Sequence, residues 1–194
     1  MSCKTIFIVR HGETDWNNLG RKQGHVQTHL NETGRKHAEM LASYFAKENI
    51  SAIYSSDLFR AVETAEIIAK SHNLKVLQDS FLREIDLGTC EGLTKDEMRL
   101  RFPEFFSERK KNYFNTPYPN GESRADVRDR VKKFFGKISD KEGIILIVGH
   151  TGFNRNLISF LTGFDGTEIS NSEFGHNIIA KFDCETKSIE FEKI

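Results

Sequence analysis

Two histidines in this 194-residue chain stand at the ends of short apolar runs. Thr5 to Val9 runs into Arg10-His11-Gly12, and Ile144 to Val148 runs into Gly149-His150. An apolar run of this length bounded by glycine reads as a buried strand. In a parallel α/β sheet, ligands bind in the crevice beyond the carboxyl ends of the strands. Both imidazoles are therefore expected at one edge of one sheet. Arg60 falls in the first turn of an expected helix, and Glu84 lies at the head of a glycine-punctuated loop, Leu82 to Gly88. Brought to the same edge, these residues make two imidazoles, two guanidiniums and one acid.

That set suits phosphoryl transfer through a phosphohistidine. A neutral imidazole nitrogen can attack phosphorus and later leave. Charge in such a transition state lies mainly on the equatorial phosphoryl oxygens. Arg10 and Arg60 can hold those oxygens and, as nearby cations, keep His11 neutral. His150 can donate to another oxygen. Glu84 can protonate the leaving alcohol and then activate water; Glu13, Asp86 and Glu91 are neighbouring carboxylates that compete for this role. Uncatalysed monoester hydrolysis is so slow that positioning and electrostatics must remove on the order of 20 kcal/mol of barrier.

The elements that must position these groups alternate strand and helix. After the first strand, Gly12 to Leu30 reads as a long polar loop, a feature often functional in compact domains. A helix is predicted from Glu32 to Lys47 with Asn31 as its cap; Ala38, Leu41, Ala42 and Phe45 form its apolar stripe. A strand follows at Ser51 to Ser55, then a helix from Leu58 to Ser71 capped by Ser56 or Asp57. Lys75 to Leu77 is a short strand. Thr94-x-x-Glu97 is a capping box opening a helix to Arg101. Residues 102–121 read as irregular and aromatic, either covering a substrate or packing on the sheet. Ser123 caps a helix carrying Val127, Val131, Phe134, Phe135 and Ile138. Ile144 to Val148 is fully apolar and so buried on both faces. A helix over Phe153 to Leu161 stops at Gly163, and strands at Asn177 to Asp183 and Ser188 to Glu192 form an antiparallel hairpin. The expectation is a three-layer α/β/α sandwich with a mostly parallel central sheet and an antiparallel C-terminal edge hairpin. Residues 1–194 are expected to form one domain, with 90–121 as a lid or cap segment.

Bulk properties narrow the function classes. Hydrophobic residues make 38% and charged residues 29% of the chain, with 28 cationic and 28 anionic side chains. This balance argues against nucleic acid as a partner, because backbone binding draws on a basic excess. Cys3, Cys90 and Cys184 are scattered, with no C-x-x-C, so neither a disulfide framework nor a zinc cage is expected. A reducing, cytoplasmic setting follows. The N-terminal apolar run is too short for a signal peptide, and the longest apolar run is far below a membrane span. His25-x-x-x-His29 has metal-like spacing but sits in a glycine-flanked loop, and no metal or cofactor is expected because the arginines supply the charge a metal would.

Arg10-His11-Gly12-Glu13-Thr14-x-Trp16-Asn17 resembles the signature of the histidine phosphatase superfamily, the phosphoglycerate mutase-like enzymes. Gln23-Gly24, Ser55-Ser56-Asp57-Leu58-x-Arg60-Ala61-x-x-Thr64-Ala65, Leu82-Arg83-Glu84-Ile85 and Val148-Gly149-His150 resemble it too, in the same order. The resemblance spans nearly the whole chain. It implies that His11 is the phosphorylated nucleophile, that Arg10, Arg60 and His150 form the phosphate pocket, and that Glu84 is the proton donor. It also implies phosphate contacts from Asn17 and from Gln23-Gly24. Thr151 stands where a glycine is common, so its hydroxyl adds a contact or narrows the pocket. Gln27 to Asn31 and Cys90 depart from the family pattern. Compactness after Glu84 favours a phosphatase acting on a small phosphorylated metabolite, and Asn120-Gly121-Glu122-Ser123 resembles members acting on α-ribazole phosphate. A phosphoglycerate mutase and a catalytically silent phosphate-binding member are the alternatives.

Overall fold

The computed structural model describes residues 3–163 and 174–194, and for Cys3 and Lys4 the backbone alone. Six strands form one sheet: β1 (Cys3–Arg10), β2 (Ile50–Ser55), β3 (Val76–Gln78), β4 (Gly143–Gly149), β5 (Ile178–Asp183) and β6 (Ile189–Lys193). Their spatial order is β3-β2-β4-β1-β5-β6. Pairs β1/β4, β2/β4 and β2/β3 are parallel. Pairs β1/β5 and β5/β6 are antiparallel, so the expected antiparallel edge begins at β1 itself.

The alternation of side chains along the central strands explains the layering. Ile6 and Ile8 of β1, with Ile145 and Ile147 of β4, join one buried cluster. That cluster includes Val127, Val131 and Phe134 of helix α6 (Arg124–Ile138) and Phe153 and Leu157 of α7 (Thr151–Thr162). Phe7, Val9, Leu146 and Val148 point the other way. They meet Leu41 and Phe45 of α2 (Glu32–Phe45) and Ala61, Ala65 and Ile68 of α3 (Phe59–Ala69). Each buried Leu, Ile or Phe contributes roughly 1.5–3 kcal/mol relative to exposure, so both helical layers are held by β1 and β4. The three-layer α/β/α expectation holds.

Three local readings need correction. Residues 102–121 are not irregular throughout, since α5 (Pro103–Lys111) follows α4 (Lys95–Arg101) after a break at Phe102. Pro103 at the first helical turn has a preset φ and needs no N–H partner. Glu104 at the start of α5, and Arg109, Lys110 and Lys111 at its end, match the helix dipole. Neither Ser56 nor Asp57 caps α3, whose N-cap is Leu58 without a side-chain bond. Asp57 instead takes two hydrogen bonds from Arg83, at 2.7 and 2.5 Å. Inside the polar loop, Thr14 caps a single turn, α1 (Asp15–Asn18), through a reciprocal box with Asn17. The boxes at Thr94/Glu97 and the cap at Ser123 form as read.

The loop leaving β1 lies against the first turn of α2 with no room for a side chain. A Cβ on Gly34 would sit 2.0 Å from the Glu13 carbonyl oxygen, and one on Gly12 would sit 2.2 Å from the Gly34 carbonyl oxygen. Both obstacles are backbone and cannot rotate away. Gly34→Ala should therefore cost more than about 2 kcal/mol of stability in urea unfolding. Gly136→Ala, at a position in α6 with nothing within 4 Å, should instead stabilise by up to about 1 kcal/mol. Similar effects for the two substitutions would contradict this packing.

Candidate active site

The carboxyl ends of β1 and β4 deliver the two histidines side by side. Arg10 pairs with Gly149 across the ladder, and the His11 N–H donates to the Gly149 carbonyl at 3.1 Å. The two rings lie 5.1 Å apart, centroid to centroid. His11 is 3% exposed and His150 is wholly buried. The next turn is tied to α3: the Gly12 N–H donates to the Thr64 hydroxyl at 3.0 Å, and that hydroxyl donates to the Arg60 carbonyl at 2.7 Å.

Hydrogen bonding assigns the His11 tautomer. Its Nδ1 lies 2.7 Å from the Gly12 carbonyl oxygen. A carbonyl only accepts, so the proton is on Nδ1 and the lone pair on Nε2. Burial, then the Arg60, His150 and Arg10 charges, hold His11 well below the ordinary histidine range. Burial and the same two arginines do likewise for His150. Neither His150 ring nitrogen has a partner among the described residues. Sequence reasoning missed His176, whose Nδ1–H donates to the His11 carbonyl at 2.6 Å. Burial and Arg10 lower its pKa to about 4.

A cavity of about 520 Å³ opens at this edge. Of the expected residues, Arg10, His11, Asn17, Gln23, Gly24, Arg60, Glu84 and Thr151 line it. His150 is not among the lining residues; its ring stands beside that of His11. Arg60 is 1% exposed, and its two terminal nitrogens donate to the Val26 and Gly24 carbonyls, each at 2.8 Å. Burial brings both Arg10 and Arg60 down to about 10, so both are cations at neutral pH. Asn17 Oδ1 accepts from the Thr14 N–H and hydroxyl, each at 3.0 Å, which leaves its NH2 end as the free donor.

Glu84 is the one carboxylate in the cavity wall; Glu13, Asp86 and Glu91 lie outside it. The Glu84 side chain caps the N-terminus of α7, accepting from the Gly152 N–H at 3.0 Å and the Phe153 N–H at 3.2 Å. A Cβ on Gly152 would meet Glu84 Oε1 at 2.3 Å, so this contact requires glycine. Arg130 of α6 fixes the backbone beneath: it donates to the carbonyls of Phe81, Arg83 and Glu84 at 2.6, 3.1 and 3.2 Å. Glu122 aligns that guanidinium through two bonds of 2.8 Å. Arg130 and Glu122 are positioning residues with no local sequence signal, since their partners lie some forty residues away.

Arg21, Lys22, Arg124 and Arg155 also line the cavity and were missed from sequence, while Tyr113 and Tyr118 come to its wall from the aromatic segment read as a possible cover. His25 and His29 do not join. His25 Nε2 donates to the Glu84 carbonyl at 2.8 Å, while His29 pairs with Glu63. No group of three or more His, Cys, Asp or Glu side chains placed to hold a metal occurs among the described residues. No helix there is long and apolar enough to cross a membrane.

Histidine, arginine and carboxylate thus converge at one sheet edge. Residues 6–194 match the family model of the histidine phosphatase superfamily (branch 1), and the chain belongs to that superfamily. It is similar to phosphoserine phosphatase 1 of Hydrogenobacter thermophilus, 35% identical over 162 residues, covering 82% of this chain and 77% of that one. It is also similar to phosphoglycerate mutase-like protein 4 of Arabidopsis thaliana, 42% identical over 157 residues, covering 78% and 68%. The solved α-ribazole phosphatase of Shigella flexneri superposes with a TM-score of 0.86 at 25% identity, covering 98% and 95%.

The lowered histidines have a measurable consequence. Below about pH 6.5 the unfolded chain takes up protons on His11, His150 and His176 that the folded protein does not. Stability is therefore greatest above that pH and falls as pH drops, by up to about 1.4 kcal/mol per pH unit for each histidine. Thermal melting should move to lower temperature between pH 7.5 and 5.5. A melting temperature constant over that window would contradict the assignment.

Proposed function

We propose that this protein is a phosphomonoesterase working in two steps through phospho-His11. The observation that carries the reading is the His11 tautomer: Nδ1–H fixed on the Gly12 carbonyl and Nε2 unprotonated beside two buried arginines. In the first step Nε2 attacks phosphorus, the bond to the ester oxygen breaks, and Glu84 in its acid form gives that oxygen a proton. In the second, Glu84 takes a proton from water, the hydroxide attacks phosphorus, and the P–N bond breaks to return neutral His11. Arg10 and Arg60 hold the phosphoryl oxygens throughout, with the Asn17 NH2 and the Gln23-Gly24 segment as further contacts. Thr151 narrows the entrance. A dianion beside His150 would offset the arginine charges that keep it neutral, so its ring donates to the phosphoryl group. The positive charge comes from the arginines, and the reaction needs no divalent metal.

The substrate is a small phosphorylated metabolite. The names of similar proteins support phosphatase chemistry; the Asn120 to Ser123 segment points to α-ribazole phosphate only as one member of a substrate panel that also holds sugar phosphates and other phosphorylated metabolites. Phosphoglycerate mutase chemistry is the second reading, favoured by the cations that line the cavity beyond Arg10 and Arg60. It would appear as interconversion of 2- and 3-phosphoglycerate with little release of inorganic phosphate. Residues 90–121, which place Tyr113 and Tyr118 on the cavity wall, serve as its cap.

Wild-type protein should hydrolyse p-nitrophenyl phosphate in the presence of a strong chelator. Loss of activity restored only by a divalent ion would overturn the metal-free mechanism. His11→Ala should abolish the acid-labile phosphoenzyme and lower kcat at least a thousandfold, on the order seen when a nucleophile is removed. Glu84→Gln should slow alkyl phosphates by about 10²–10⁴-fold and aryl phosphates much less, because a good leaving group needs no proton. Equal effects on both substrate types would assign the acid elsewhere.

A further inference from the structure

The cavity holds more positive charge than one phosphate can use. Six cationic side chains line it, Arg10, Arg21, Lys22, Arg60, Arg124 and Arg155, against the single carboxylate of Glu84. Arg10 and Arg60 serve the phosphoryl group, and Arg21 is tied to the Gly92 carbonyl and to Glu97. Lys22 and Arg124 have no such commitment. Neither takes part in an ion pair among the described residues. Arg124 also keeps a buried Nε without a hydrogen-bond partner.

The aromatic wall beside them concentrates this charge further. The Arg124 guanidinium lies over the Tyr113 ring at 4.6 Å, and that of Arg109 lies over the same ring at 4.7 Å. Arg109 also lies 4.8 Å from the Tyr118 centroid. Ring faces stabilise cations, so the two tyrosines hold two guanidiniums near one point without neutralising them. Lys22 faces the same cavity. Like charges gathered in this way repel one another, and an anion arriving between them relieves that repulsion.

Building on the phosphomonoester reading, we propose that Lys22 and Arg124, backed by the Arg109–Tyr113–Tyr118 stack, form a second anion subsite that selects phosphate esters bearing a further carboxylate or phosphate. An ester that is neutral beyond its phosphate, α-ribazole phosphate among them, leaves this subsite without a partner and is a poorer ligand.

A minimal pair of ligands tests this directly. Glycerol 3-phosphate and 3-phosphoglycerate share a carbon skeleton and differ in a hydroxymethyl group against a carboxylate. Fructose 6-phosphate against fructose 1,6-bisphosphate separates a second phosphate from a carboxylate as the preferred group. Binding is measured by calorimetry on the His11→Ala protein, so the result does not depend on turnover. At least one member bearing the extra anion should bind about tenfold more tightly than its neutral counterpart, as charge-assisted hydrogen bonds would give. That ratio should fall to within about twofold when Lys22→Met or Arg124→Met is added, and it should shrink with rising salt. Lys22 is exposed, so its replacement leaves no cavity in the core. Equal affinities within both pairs, or ratios unaltered by both substitutions, would overturn the subsite. So would α-ribazole phosphate binding more tightly than every doubly anionic ester. Failure of the wild type to hydrolyse p-nitrophenyl phosphate would overturn the phosphatase reading alone.

Discussion

The parallel register between β1 and β4 is the constraint on which the rest of the molecule depends. Val9 stands opposite Val148 and Arg10 opposite Gly149. A strand's side chains alternate strictly, so a slip of one residue would exchange the two faces of β1. Ile6 and Ile8 would leave α6 and α7, and Phe7 and Val9 would leave α2 and α3. The same slip would carry His11 away from His150. The Asn154 side chain adds a lock, donating from α7 to the Val9 carbonyl at 3.0 Å. Packing and chemistry thus share one cause: the residue pairing that fills both hydrophobic layers also sets two imidazoles within reach of one small group.

Electrostatics then divides the labour. Burial keeps the histidines neutral while leaving the arginines charged, because a guanidinium lowered to about 10 is still protonated near pH 7. The two imidazoles and the two guanidiniums therefore stand side by side in opposite charge states. Glu84 is held differently, by N–H donors of α7 above and by the Arg130–Glu122 pair below. Glu84 is thereby fixed to the first turn of α7, the helix whose N-cap is His150.

Much of this was legible in the sequence, for identifiable reasons. The central strands could be read because both their faces are apolar. The helix caps at Asn31, Thr94 and Ser123 could be read because a cap is a local signal, confined to four residues. Arg10, His11, Arg60 and His150 could be placed because each stands at the start or end of an element, whereas Glu84 lies in a loop. What escaped was contact between distant segments. Asp57 looks like a cap until Arg83, twenty-six residues away, claims it. Residues 102–121 read as irregular, although Pro103 opens a helix there. Arg124 reads as an ordinary helix-opening residue, and only the fold shows its guanidinium over Tyr113. His150 was legible as a partner of His11.

The central place of β1 also bears on how the protein is made. Its neighbours on either side, β4 and β5, lie more than 130 residues further along the chain. In a growing polypeptide this strand is an apolar segment with both hydrogen-bonding edges bare until those later residues have followed. Closing such long loops is slow relative to local pairing. The histidine pair therefore forms only after the long stretch between β1 and β4 has been made and folded back.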